Sequence, residues 1–75
     1  MRNNIGQRIR TARLRTKPKI TQGQLAVKLQ MLDWDIDRSG ISKIEAGVRE
    51  VNDIELVKLG KALGVTVAWL VGEAK

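Results

Sequence analysis

Thr21-Gln22-Gly23-Gln24-Leu25-Ala26 and Asp37-Arg38-Ser39-Gly40-Ile41-Ser42-Lys43-Ile44-Glu45-Ala46-Gly47 are the two stretches that decide the fold. In the first, Thr21 is an N-cap and Gln24, three residues on, completes a capping box ahead of Leu25, Ala26, Leu29 and Leu32 at helical spacing. A helix over about residues 22–32 follows. In the second, Asp37 caps a short helix over residues 38–46, where its charge also suits the helix dipole. Ile41 and Ile44 fall three apart and turn inward, and Gly47 supplies the left-handed stop. Between them, Asp33-Trp34-Asp35-Ile36-Asp37 has no helical stripe and is rich in residues that prefer caps and turns, so it reads as a connection.

Outward from this pair the same logic holds. Upstream, Ile5, Ile9 and Ala12 recur at i, i+4 and i+7, giving an amphipathic helix over residues 4–15 with Asn3 or Asn4 as its cap. Pro18 ends it, because proline lacks an amide donor and pushes its predecessor out of the helical region. Downstream, Asn52 and Glu55 repeat the box and open a helix with Leu56, Leu59 and Leu63 on one face and Gly64 at its end. Thr66 caps a last short helix through Val67, Trp69 and Leu70 to Gly72. Alternation never persists long enough for a sheet, so the expectation is an all-α, compact five-helix bundle, a single domain over residues 1–75.

Composition narrows the function. The chain has no Cys and no His, which removes thiol nucleophiles, imidazole bases and the commonest metal ligands together. Its carboxylates are scattered rather than set at a calcium-loop spacing. No metal, no cofactor and no catalysis are expected, since nothing pairs a nucleophile with a base. No apolar run approaches the roughly 18 residues of a membrane span, and a cytoplasmic protein without a membrane partner is expected. Fourteen Lys and Arg against eight Asp and Glu leave +6, a bias toward polyanionic partners. Arg2, Arg8, Arg10, Arg13, Arg15, Lys17 and Lys19 hold half of those cations, while the first acid is Asp33, so the N-terminal quarter is a cationic element. By itself such a face serves solubility as readily as binding.

One set of residues decides between those readings. Ile9 and Arg13, Thr21-Gln22 with Leu25-Ala26, Ile41-Ser42 with Ile44-Glu45 and Gly47, and Ala62-Leu63-Gly64-Val65 occur in that order across nearly the whole chain. Together they resemble the helix-turn-helix domain of the phage Cro and repressor type, the xenobiotic-response-element family of bacterial regulators. The resemblance implies a lambda-repressor-like DNA-binding domain whose recognition helix, residues 38–46, enters the major groove of double-stranded DNA, and a small transcriptional regulator acting as a repressor. Carried over by position, the reading residues are Arg38, Ser39, Ser42 and Lys43, and the backbone contact at the start of the second helix is Gln22. Arg38 can pair bidentately with guanine O6 and N7, whereas Gln22 would hold a phosphate beside the free amides of a helix N-terminus. Arg49, Arg10 and Lys19 are further candidate phosphate contacts. Arg13 and Glu45 resemble the family's structural ion pair, with a phosphate contact as the alternative for Arg13.

The chain also departs from the family. Ala26 to Ile41 spans fifteen residues, longer than the family's turn, and the glycine expected four residues after that alanine is Gln30. An extended segment over residues 31–36 is expected, with Trp34 and Ile36 folding back under the recognition helix and Asp33 and Asp35 pointing away from phosphate. A base-stacking role for Trp34 is the alternative. Gly40 weakens the recognition helix but is expected to let a phosphate or thymine methyl approach, and Ala46 stands where the family has a polar contact. Leu14 and Ile54 fall off their helices' apolar stripes. With Val67, Trp69 and Val71 they would serve a homodimer on two half-sites. No small-molecule ligand pocket is legible. The rival reading is a protein-interaction module, antitoxin-like, that grips its partner through the Trp34 bulge or the Trp69 helix.

Overall fold

The computed structural model describes residues 5–73. Five helices follow in order: α1 (Ile5–Arg15), α2 (Gln22–Gln30), α3 (Arg38–Glu45), α4 (Asp53–Leu63) and α5 (Val67–Leu70), and the described residues contain no strand. The all-α expectation holds. The proposed cap at Asn3 or Asn4 lies outside the described residues.

Each cap read from the sequence for α2 to α5 is formed. Thr21 Oγ1 accepts from the Gln24 amide at 3.0 Å while Gln24 Oε1 accepts from the Thr21 amide at 2.8 Å. Asn52 and Glu55 make the same reciprocal pair at 2.8 and 3.1 Å. Asp37 Oδ1 accepts from the Gly40 amide at 2.8 Å, and Thr66 Oγ1 from the Trp69 amide at 3.0 Å. Each satisfies a donor that the helix itself cannot, worth about 1 kcal/mol.

The end of α2 comes earlier than its apolar stripe implies. The Trp34 amide donates back to the Leu29 carbonyl at 3.0 Å and the Asp33 amide to Gln30 at 3.1 Å. This is the Schellman closure, and it requires a left-handed residue, here Asp33 at φ 66. Aspartate tolerates that region better than most side chains because its short polar group bonds locally. The closure drops Leu32 out of the helix and turns Trp34 back toward the core. α3 ends by the same device with Gly47 at φ 78, where the Val48 amide reaches the Lys43 carbonyl at 2.9 Å.

The core gathers one stripe from every helix: Ile9, Leu25, Leu29, Ile41, Ile44, Leu59 and Leu70 are fully buried. Ala26 is buried on α2, and Gly6 lets α1 approach the end of α3 closely, since a β-carbon there would run into the carbonyl oxygens of Ile44 and Glu45. Ile36 is buried beneath α3 and Trp34 is half-buried against the same core, as expected, with Asp33 and Asp35 exposed. The expected extended segment over residues 31–36 is not formed throughout, since residues 31–33 make the turn that closes α2. Gly40 requires a correction. The side on which it lacks a β-carbon faces Ile36, so its smallness serves the plug under α3 rather than the approach of DNA.

Candidate nucleic-acid interface

α3 is two-faced. Ile41 and Ile44 are buried against α1 and α2, while Arg38, Ser39, Ser42 and Lys43 are all exposed on the other side. Because Asp37 starts the helix, Arg38 and Ser39 occupy its first turn, where side chains project beyond the helix end. Gln22, Arg38, Ser39 and Ser42 line one open depression. Lys19, Thr21, Gln22, Gly23 and Arg38, together with Arg13, Leu14 and Ile20, line a second that adjoins it. The start of α2, the loop before it and the tip of α3 therefore form one continuous surface, polar around Gln22, Ser39 and Ser42 and partly apolar at Leu14 and Ile20. Lys43 and Arg10 are exposed but line neither depression, and Arg49 lies apart from both.

At the base of this surface, Arg13 and Glu45 meet as the family resemblance implies. Arg13 Nε donates to Glu45 Oε2 at 2.8 Å and Nη2 to Oε1 at 3.0 Å, with side chains only 9% and 5% exposed. The remaining guanidinium nitrogen, Nη1, donates to the Ile20 carbonyl at 3.0 Å. Three of its donors are thus committed to Glu45 and Ile20, which makes Arg13 a brace between α1, the first loop and the end of α3. Glu45 Oε1 also accepts from Gln22 Nε2 at 3.1 Å, a bond that the sequence reading did not foresee.

Two other cations have partners of their own. Arg49, expected as a phosphate contact, forks onto Glu55 at 3.0 and 3.2 Å, donates to the Glu50 carbonyl and sits 5.6 Å from the Trp34 ring centre. Hydrogen bonding to Glu55 raises the Arg49 pKa further, and hydrogen bonding to Arg49 holds the Glu55 carboxyl below its usual value. Trp34 is thus enclosed by the core on one side and a guanidinium on another, which leaves little face for base stacking. Arg8 lies 4.2 Å from the Trp69 ring centre and its Nε donates to the Trp69 carbonyl, tying α5 to α1. That pairing, across 61 positions, has no local signal in the sequence. It also removes one face of Trp69 from the surface expected to serve a dimer, whereas Leu14, Ile54 and Val67 are exposed as expected.

Among the described residues, no group of three or more carboxylates converges as a metal site would require, and no helix is long and apolar enough to cross a membrane.

Comparison with known proteins agrees with the geometry. The helix-turn-helix family model matches residues 9–70, from the buried Ile9 to the buried Leu70. The chain is 41% identical over 69 residues to the control protein C.BamHI of Bacillus amyloliquefaciens, covering 87% of this chain and 78% of that protein. No solved structure matches significantly. A family match over that span, with that relative beside it, makes this chain a member of the Cro/repressor-type helix-turn-helix family, and thus a DNA-binding transcriptional regulator.

Proposed function

We propose that this regulator lays α3 in the major groove of a duplex operator and acts as a repressor by occupying it. The observation that carries the reading is the division of α3: two isoleucines fix one face in the core, and the opposite face offers Arg38, Ser39, Ser42 and Lys43 to solvent. A groove about 12 Å wide admits such a helix with its first turn nearest the base edges. Arg38 would pair with guanine, Lys43 with guanine or phosphate, and the two serine hydroxyls with several bases. Gln22 and the amides at the start of α2 would hold a phosphate, with Lys19 and Arg10 alongside. Arg49 would act there only from within its pair with Glu55. The chain would bind two half-sites as a homodimer, with exposed Ile54 and Val67 as candidate contacts. It would need no cofactor and carry out no catalysis.

Selection of bound sites from random duplex DNA tests this reading. A guanine-containing motif repeated at one helical turn is expected. Arg38→Ala should weaken the selected site by about 1–3 kcal/mol and relax preference at one base position. An unchanged preference in that variant would remove Arg38 from the reading face.

A further inference from the structure

Glu45 Oε1 receives two donors, Arg13 Nη2 at 3.0 Å and Gln22 Nε2 at 3.1 Å. A carboxylate can only accept, so the Gln22 carboxamide has one permitted orientation: its nitrogen faces Glu45 and its oxygen faces away. The carboxylate is itself fixed, because the Arg13 fork holds both its oxygens and Arg13 is anchored in turn to the Ile20 carbonyl. Gln22 lines both depressions, so the orientation of its amide decides what the surface offers where they meet.

We infer that Arg13 and Glu45 are positioning residues for DNA binding as well as a structural brace: through Glu45 they hold Gln22 in the one amide orientation that DNA meets. In that orientation the second Nε2 proton remains for a phosphate oxygen. The outward Oε1 accepts from a base amino group, N4 of cytosine or N6 of adenine, or from Arg38. A freely turning glutamine would have to be ordered on binding, whereas this one is ordered beforehand. The inference rests on Gln22 being a DNA contact.

A double-mutant cycle on the full chain and its selected duplex separates the two. Gln22→Ala is expected to weaken binding roughly three- to ten-fold, the size of one hydrogen bond. Glu45→Gln, measured where circular dichroism shows it fully folded, is expected to weaken binding by a similar factor. Adding it to Gln22→Ala should then cost nothing further. Because Gln22 is uncharged, the dependence of log affinity on log salt should keep its slope in Gln22→Ala, and Glu45→Gln, which frees the Arg13 charge, should keep or steepen it, whereas a loosened α3 would flatten it. The Gln22 side-chain amide resonances of the free protein should move in Glu45→Gln. If Glu45→Gln does not fold, Arg13→Lys carries the same cycle, since it keeps the charge but gives up the fork. Additive losses in the cycle, or a flattened salt slope in the Glu45 or Arg13 variant, overturn the positioning role while leaving Gln22 a contact. An unchanged affinity in Gln22→Ala overturns both the contact and the inference.

Discussion

Ile36 fills the space where Gly40 would carry a side chain: a β-carbon on Gly40 would lie 2.6 Å from Ile36 Cγ1 and 2.9 Å from its Cδ1. The connection before α3 is therefore locked beneath the helix by a contact that only glycine permits. Glycine to alanine inside a helix ordinarily gains about 1 kcal/mol. Here the clash with the buried Ile36 side chain, about 1–3 kcal/mol, outweighs that gain. Gly40→Ala is expected to lower stability by about 1 kcal/mol in urea unfolding, net of the two effects. In an Ile36→Ala background, itself weakened by about 2–5 kcal/mol, the same change should become neutral or stabilising. Independent losses in the two backgrounds would mean the residues do not share that space.

Asp33 makes the opposite prediction. It holds φ 66 to close α2, and its carbonyl accepts from Lys58 Nζ at 3.2 Å, so the backbone geometry is fixed from two sides. Glycine enters this region without the penalty that a β-carbon brings. Asp33→Gly should raise stability by about 0.5–1 kcal/mol and Asp33→Asn should leave it nearly unchanged, whereas Asp33→Val should lower it. Thermal unfolding of the three variants orders them, and a valine variant as stable as the parent would contradict the closure described for α2.

The structure had been legible in its punctuation and its stripes, and less so in its long-range polar contacts. Thr21, Asp37, Asn52 and Thr66 announced helix starts because a cap bonds within three residues, a distance the sequence displays. The buried isoleucines of α3 are equally plain, and with them the exposed face opposite. The end of α2 was misplaced because Leu32 continues the apolar stripe, and nothing nearby shows that an aspartate will take the left-handed role usually given to glycine. The neighbour of Gly40 is hidden from the sequence, since its partner Ile36 precedes the helix in a segment the family turn does not contain. Gln22 with Glu45, Arg8 with Trp69 and Arg49 with Glu55 depend on how helices dock. Their side chains read individually as solvated polar groups until that docking is known.

Glu55 supplies a pH test. Its carboxyl titrates below its usual value, chiefly because Arg49 donates to it, so the folded chain favours the ionised form more than the unfolded chain does. The stabilisation is complete above the ordinary glutamate pKa of about 4.3 and is lost as pH falls through the lower folded value. The Arg49 side chain is 37% exposed, which screens the pair and limits this contribution to under about 1 kcal/mol. Glu55→Gln should therefore lose stability at neutral pH and show a shallower fall between about pH 5 and pH 3 than the parent. Identical acid slopes in parent and variant would show that the pair contributes nothing.

The exposed cations outside α3 should separate affinity from sequence preference. Lys19 lines the depression at the start of α2, and Arg10 is exposed on α1, whereas the charge of Arg13 is neutralised inside by Glu45. A phosphate contact releases a condensed counterion, so removing one lowers the slope of log affinity against log salt by about 0.9 without regard to sequence. Lys19→Ala and Arg10→Ala should each produce that change, weaken cognate and random duplexes by the same factor, and leave the selected motif intact. Arg49→Ala should instead act mainly on folding, because its guanidinium is held by Glu55 and the Glu50 carbonyl. A full unit of lost slope in Arg49→Ala with unaltered stability would mean that the guanidinium leaves Glu55 for phosphate when DNA binds. In that case a Glu55→Gln variant should bind every duplex more tightly than the parent, since its Arg49 has no competing carboxylate to leave.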